Sequence, residues 1–340
     1  MKLGKPDKLF FFTGASAWIP DAIQYAEGQG IKCYVFAVSR HLEEMFAGTG
    51  KTFRQVLSEK NISWFHCDDI NNSQELRQLA TVSSIGIGLG EAYTFSTETL
   101  GLFNRRIFDF MTIRMPKYRG GAHYTWQILQ QNRIGAWYIQ VVNEEMVPGG
   151  YDTGEILSAY EYIIPSWARI PADYFKVADT EGLNAFRKFI DDAVSGRDFT
   201  LTVLQENFSL YLPRLYTLRH GYINWSWSGE EIERFICAFD EPYAGASTFC
   251  NGERLFLKSA QLERGEGSFH PFMNGLVYRI YNNKAFIAIN NGTLIVEKIS
   301  TEDGKDAMPS IKPGYRLYTP AQLLDEAMLF NAEYTSTGLK

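Results

Sequence analysis

Cysteine is scarce in this chain, and its four copies, Cys33, Cys67, Cys237 and Cys250, stand far apart with no Cys-x-x-Cys pair. That spacing excludes a disulfide framework and a zinc ribbon, and reads as buried or free thiols in a reducing compartment. Long hydrophobic runs are missing as well. Leu9 to Phe12, behind a basic start from Met1 to Lys8, is too short for a signal core or a membrane span. The expected setting is therefore cytoplasmic, with no membrane partner. Positive charge is in the minority: 33 Lys and Arg against 39 Asp and Glu leave a net charge of −6. A surface built throughout for phosphate backbones is excluded, although a local basic patch is not.

Apolar residues are plentiful. A hydrophobic fraction of 45% with 15% aromatics over 340 residues supports a packed core in one large domain or two ordinary ones. Leu9 to Phe12 reads as a buried strand turning at Thr13-Gly14-Ala15-Ser16 into a helix over Trp18 to Gln29. Lys32 to Val38 is a second strand, nearly continuous in apolar residues as a parallel strand covered on both faces should be. Helices over 53–58 and 73–80 then alternate with strands over 63–66 and 84–89. This alternation predicts a doubly wound, mostly parallel sheet. Ile107 to Met111 and Trp137 to Val142 continue the strands, with a helix over 124–131 between them and a long amphipathic helix over 180–194.

Two glycine motifs fail on spacing. Gly48-Thr49-Gly50-Lys51-Thr52 resembles the end of a phosphate-binding loop, but the first required glycine falls on Met45 and no strand precedes it. Gly86, Gly88 and Gly90 miss the dinucleotide fingerprint because its third glycine falls on Glu91. Both read as ordinary backbone.

From Tyr211 the chain turns irregular and aromatic, a linker over 206–227. Ser228-Gly229-Glu230-Glu231 caps a helix to Ala238. Five short strands follow over 246–249, 255–262, 275–280, 285–289 and 293–299. Asn251-Gly252 and Asn291-Gly292 give hairpin signals. A small β-barrel with one helix is expected over 228–300, then a polar tail over 301–340 with a helix at 320–330.

Pro116-Lys117-Tyr118-Arg119-Gly120, Trp126-Gln127-Ile128 and Asp152-Thr153-Gly154-Glu155-Ile156-Leu157 together resemble the folate-dependent formyltransferase family. That family includes methionyl-tRNA formyltransferase and the sugar-amine N-formyltransferases. The likeness continues through Pro213-Arg214, 221–225 and 238–246, in the family's own order over roughly residues 8 to 300. It implies a catalytic α/β domain over 1–205 and a second domain resembling an oligonucleotide-binding fold. It also implies transfer of a formyl group from N10-formyltetrahydrofolate, as co-substrate, to an amine.

Such chemistry needs an oxyanion donor, a base for the amine proton and a carboxylate to orient and balance that base. The family supplies the first two from an Asn-x-His pair before the Pro turn, and the third from the Asp of Asp-x-Gly. Here Asp152 matches, while the Asn position holds Asp109 and the His position holds Met111. Methionine takes no proton, and an aspartate donates a hydrogen bond only when protonated. His123, seven residues past Pro116, and Asp152 itself are the substitute bases. By the same resemblance Gly90, Glu91, Tyr93 and Gly154 line the folate, and Tyr118, Arg119 and Met111 face the substrate.

Each assignment has a structural counterpart. Asp152 also suits a turn, Arg119 a loop contact, His123 a helix start, and Met111 the core. No metal is implied. The thin set of cations (Lys51, Arg54, Arg214, Arg219) favours a small amine, such as a nucleotide-linked amino sugar, over transfer RNA. A homodimer stays open. Two other readings remain beside transfer: a relative doing different one-carbon chemistry such as hydrolysis, and a catalytically silent binding protein.

Overall fold

The computed structural model describes residues 1–90, 93–143, 154–265, 267, 269–335 and 338–339. Its first elements are β1 (Lys8–Thr13), α1 (Ile19–Gly28), β2 (Lys32–Ala37), α2 (Ser39–Glu43), β3 (Met45–Phe46), β4 (Lys51–Thr52) and α3 (Phe53–Glu59). Then come β5 (Trp64–His66), α4 (Gln74–Leu79), β6 (Ile85–Leu89), α5 (Thr97–Leu102), β7 (Ile107–Met111), β8 (Arg119–Gly120) and α6 (His123–Leu129). Next are β9 (Ile134–Val141), β10 (Ile156–Ile163), α7 (Pro171–Val194), β11 (Tyr211–Leu212), α8 (Thr217–His220) and α9 (Gly229–Ala238). The chain ends with β12 (Ala246–Cys250), β13 (Glu253–Glu263), β14 (Val277–Tyr281), β15 (Lys284–Ile289), β16 (Gly292–Thr301), α10 (Ala321–Leu329) and a short hairpin, β17 (Tyr334–Thr335) and β18 (Gly338–Leu339).

The chain divides into two compact units. One holds residues 1–119, 134–163 and 176–211, the other 120–133, 164–175 and 212–340. The first is built on a seven-stranded sheet in the order β10-β9-β7-β6-β1-β2-β5. Five of these strands, from β5 to β7, run parallel, while β9 pairs antiparallel with both β7 and β10. The mostly parallel, doubly wound sheet predicted from the strand alternation is what forms. Its hydrophobic run explains why: Leu9 and Phe11 pack into one layer, with Ile23, Phe186 and Phe189. Phe10 and Phe12 pack into the other, with Ile70, Leu100 and Phe103. A strand apolar on both faces needs cover on both.

The false phosphate loop is the turn of the β3–β4 hairpin, and Thr52 caps α3 in a reciprocal capping box with Gln55. Gly86 lies in β6, where an added Cβ would stand 2.9 Å from Ile107 and Phe12 side-chain atoms, so close packing requires it. Helix α7 runs 24 residues, starting well before the expected Thr180. Pro171 opens it, a position that tolerates proline because no N–H is needed there. The edge strand β10 was not anticipated. A register shift between Ile156 and Ser158 breaks the alternation that would have marked it.

In the second unit Ser228 and Glu231 form the expected capping box on α9. The five strands make an antiparallel sheet in the order β12-β13-β16-β15-β14. Asn251-Gly252 and Asn291-Gly292 turn two of its hairpins with all four φ angles positive. The stretch expected as a linker is partly built into this unit, since Ile223 donates to Ser247 O at 2.9 Å and Trp225 Nε1 to Thr248 Oγ1 at 2.9 Å. The stretch expected as a tail does more. Leu317 N–H donates to Gly275 O at 2.8 Å, and Tyr318 and Phe249 exchange backbone bonds of 2.9 and 2.7 Å. Residues 314–318 thus bond to both outer strands of the sheet. Side-chain pattern does not announce such a segment, because backbone groups make the contacts. The expected C-terminal helix is α10.

All four cysteines are free and buried. No helix among the described residues is long and apolar enough to cross a membrane.

Candidate active site

The candidate site grows from β7. Asp109 and Met111 lie two residues apart and so share one face of the sheet. Across the β7–β9 pair, Asp109 stands opposite Gln140 and Met111 opposite Tyr138. Opposite residues of an antiparallel pair project to the same side, with Cβ atoms about 4.5–5.5 Å apart. On the far side of Gln140 the next partner is Ile156 of β10.

The two ends of this face differ in chemistry. At the Met111 end the side chain is 6% exposed and packs with Met115, Ile156, Ile113, Tyr138 and Leu204. The thioether fills an apolar nest, as a core methionine does. Beyond it Arg114 Nε pairs with Glu161 at 2.8 Å, and Tyr138 OH donates to the same carboxylate at 3.1 Å. Burial, and then the Glu161 charge, push the Tyr138 phenol up to about 12. It stays a neutral donor across the physiological range. A cavity of about 590 Å³ opens beside this end, between Met115, Pro116, Tyr138, Ile156, Leu204 and Phe208. Asp109 and Met111 do not line it.

At the Asp109 end the neighbours are polar. Gln140 is 1% exposed, and its Nε2 donates to Gly154 O at 2.7 Å. Val141 N–H donates to Glu155 O at 2.9 Å. A Cβ on Gly154 would lie 2.1 Å from Val141 O and 3.0 Å from Gln140 Cγ. Only glycine can pass this close to β9, so the Asp-x-Gly motif has its glycine for packing, whatever else that residue touches. Asp152 itself and Glu91 lie outside the described residues.

The other predicted residues fall as follows. Tyr118 is buried in the Pro116 turn with φ +64, and Arg119 is buried at 8% exposure. Arg119 Nη1 donates to Ser209 Oγ at 3.1 Å, its N–H bonds Leu210 O at 3.0 Å, and Leu210 N–H bonds Pro116 O at 3.3 Å. These contacts give Arg119 a role in holding the turn. Gly90 follows β6 with φ +60, a conformation that suits glycine. Tyr93 donates to Cys67 O at 2.6 Å and meets Phe12 edge-on. His123 opens α6 with its ring 4.1 Å from that of Tyr124, and burial lowers its pKa to about 4. Such a ring is neutral at working pH but a weak base for an amine proton. His123 belongs to the second compact unit and Asp109, Met111 and Gly154 to the first. Among the described residues no cluster of His, Cys, Asp or Glu could hold a metal ion.

Sequence reasoning passed over Gln140. The signal was present: it is the one polar side chain in the apolar run Ile139-Gln140-Val141-Val142. A polar group in such a run is buried at a cost unless something uses it.

Comparison with known proteins bears on both units. The model for the formyl transferase C-terminal domain matches residues 217–310. A methionyl-tRNA formyltransferase of Desulfotalea psychrophila is 27% identical over 192 residues, covering 56% of this chain and 55% of that protein. The chain thus spans about half the length of this curated relative. Among solved structures, the N-formyltransferase from Helicobacter canadensis, in complex with folinic acid and dTDP-3-aminofucose, superposes with a TM-score of 0.62 at 15% identity. That likeness covers 86% of this chain and 98% of the other. HypX from Aquifex aeolicus, in complex with tetrahydrofolic acid, gives 0.53 at 14% identity over 96% of this chain and 48% of its own. At these identities the structural likenesses establish the fold.

Proposed function

Because the chain is a member of the folate-dependent formyltransferase family, we propose that it moves a formyl group from N10-formyltetrahydrofolate to an amine of a small molecule, such as a nucleotide-linked amino sugar. The observation that carries this reading is the polar end of the site face, where Asp109 stands opposite Gln140 and Gly154 O accepts a hydrogen bond from that glutamine.

In the proposed reaction the amine nitrogen attacks the formyl carbon, and the carbonyl electrons move to oxygen. The Asp152 carboxylate takes one amine proton. The tetrahedral oxyanion then collapses, the bond from carbon to N10 breaks, Asp152 returns its proton to N10, and a formamide and tetrahydrofolate leave. Asp109 contributes as a neutral acid, since an ionised carboxylate beside the developing oxyanion would raise the barrier. Met111 supplies shape and no proton. A small acceptor is supported by charge: Lys51 of β4 and Arg54 of α3, two of the cations available to a nucleic acid, are ion-paired with Glu59 and Glu43 at 2.6 Å each. Exposed pairs of this kind weaken any cationic track.

A second reading, a silent folate-binding relative or one that hydrolyses the formyl donor, draws on the apolar nest around Met111. Calorimetry with folinic acid, followed by an assay with N10-formyltetrahydrofolate and a panel of amines, separates the readings. Transfer requires folate binding, a formamide product, and loss of that product in Asp152→Asn. Formate release without an amine would indicate hydrolysis. Binding without turnover would indicate the silent relative.

A further inference from the structure

We propose that Gln140 is the positioning residue of this site. Its Nε2 holds the backbone at Gly154 O, and its Oε1 is the acceptor for the acid proton of Asp109. The inference rests on the formyltransferase reading for its catalytic meaning, but not for the hydrogen bond itself.

The clamp is direct. A carbonyl oxygen only accepts, so the 2.7 Å contact with Gly154 O fixes which end of the amide is nitrogen. The oxygen then points the other way. It is buried, and among the described residues it has no hydrogen-bond partner. A buried amide oxygen left unmatched calls for an explanation, because such groups are few in folded proteins.

Among the described strand residues, the register limits what can supply the proton. Ile156, on the β10 side, has no donor. Tyr138, two residues along β9 on the same face, gives its hydroxyl to Glu161. Met111 is a thioether. Directly opposite stands Asp109, and across β6 the residue paired with Asp109 is Gly88, which brings no side chain. A carboxylic acid at 109 can donate to Oε1, and a hydrogen bond to the neutral form favours that form.

Two variants separate the halves of the proposal. Gln140→Leu removes clamp and acceptor together. Gln140→Glu keeps an acceptor oxygen but cannot donate to Gly154 O. Infrared difference spectra of ¹³C-aspartate-labelled protein, referenced to Asp109→Asn, report whether Asp109 is protonated without any turnover. The protonated-acid band is expected in the parent at neutral pH, retained in Gln140→Glu and lost in Gln140→Leu. In both variants kcat is expected to fall about 10²-fold with folate KM within about twofold, as for a displaced catalytic group. Should Gln140→Leu fail to fold, the parent and Gln140→Glu spectra still decide. A parent protein without the band, or a band that survives Gln140→Leu, overturns the Asp109 bond. Unchanged kcat in a folded, active Gln140→Glu overturns the clamp. A band with no formyl transfer by the parent to any amine counts against the proposed function and leaves the Asp109 bond standing.

Discussion

Asp109 and Met111 are neighbours on one face of one strand, yet their surroundings have little in common. Asp109 looks across to an amide that holds Gly154 O, while Met111 sits among methionine, isoleucine and leucine. Where the family resemblance places two polar groups side by side, this chain keeps polarity at one position and closes the other. The difference teaches that position 111 is packed as core. Met111 packs into an apolar nest, and in the proposed reaction proton transfer is therefore organised from the Asp109 end.

Four substitutions would break or sharpen that contrast. Met111→Asp puts an unpaired carboxyl into the nest and is expected to cost about 3–5 kcal/mol in denaturant unfolding, as uncompensated buried charges do. A near-neutral result would mean that the nest is wet. Gly154→Ala is next: its Cβ meets Val141 O, so we expect a loss of about 1–3 kcal/mol from overpacking, with activity falling more than stability. Equal activity at lower stability would separate the clamp from catalysis. Met111→Leu conserves shape and should cost under about 1.5 kcal/mol, with turnover within about threefold. A large loss of turnover would return Met111 to the reacting groups.

His123→Gln gives the smallest expected effect. The His123 pKa is near 4 in the folded protein, below its ordinary 6.5. Between those values the unfolded chain binds a proton that the folded one refuses, so this ring makes stability fall as pH drops from 6.5 towards 4. The variant should lose less melting temperature between pH 7 and pH 5 than the parent. An equal loss would place the ring in water.

Much of the fold was legible because burial on both faces writes itself as continuous apolar strands, as in Leu9 to Phe12. The Asn-Gly turns were legible because few residues accept their positive φ angles. Strand β10 was not, since a register shift hides its alternation. The closing segment 314–318 was not, since its bonds are backbone to backbone. At the site, the Asp109 and Met111 positions could be read by counting from Pro116. Their environments could not, because cross-strand partners depend on register. Gln140 was within reach: a lone amide in an apolar strand signals use.

The central claim, that the polar end of this face carries formyl transfer, is tested most directly by one assay. Purified parent and Asp152→Asn proteins are given N10-formyltetrahydrofolate and a primary-amine nucleotide sugar, and the formamide is quantified by mass spectrometry. The account predicts folate-dependent product from the parent and a loss of about 10²–10⁴-fold in the variant, the range a positioned base contributes. Equal product from both proteins would contradict it.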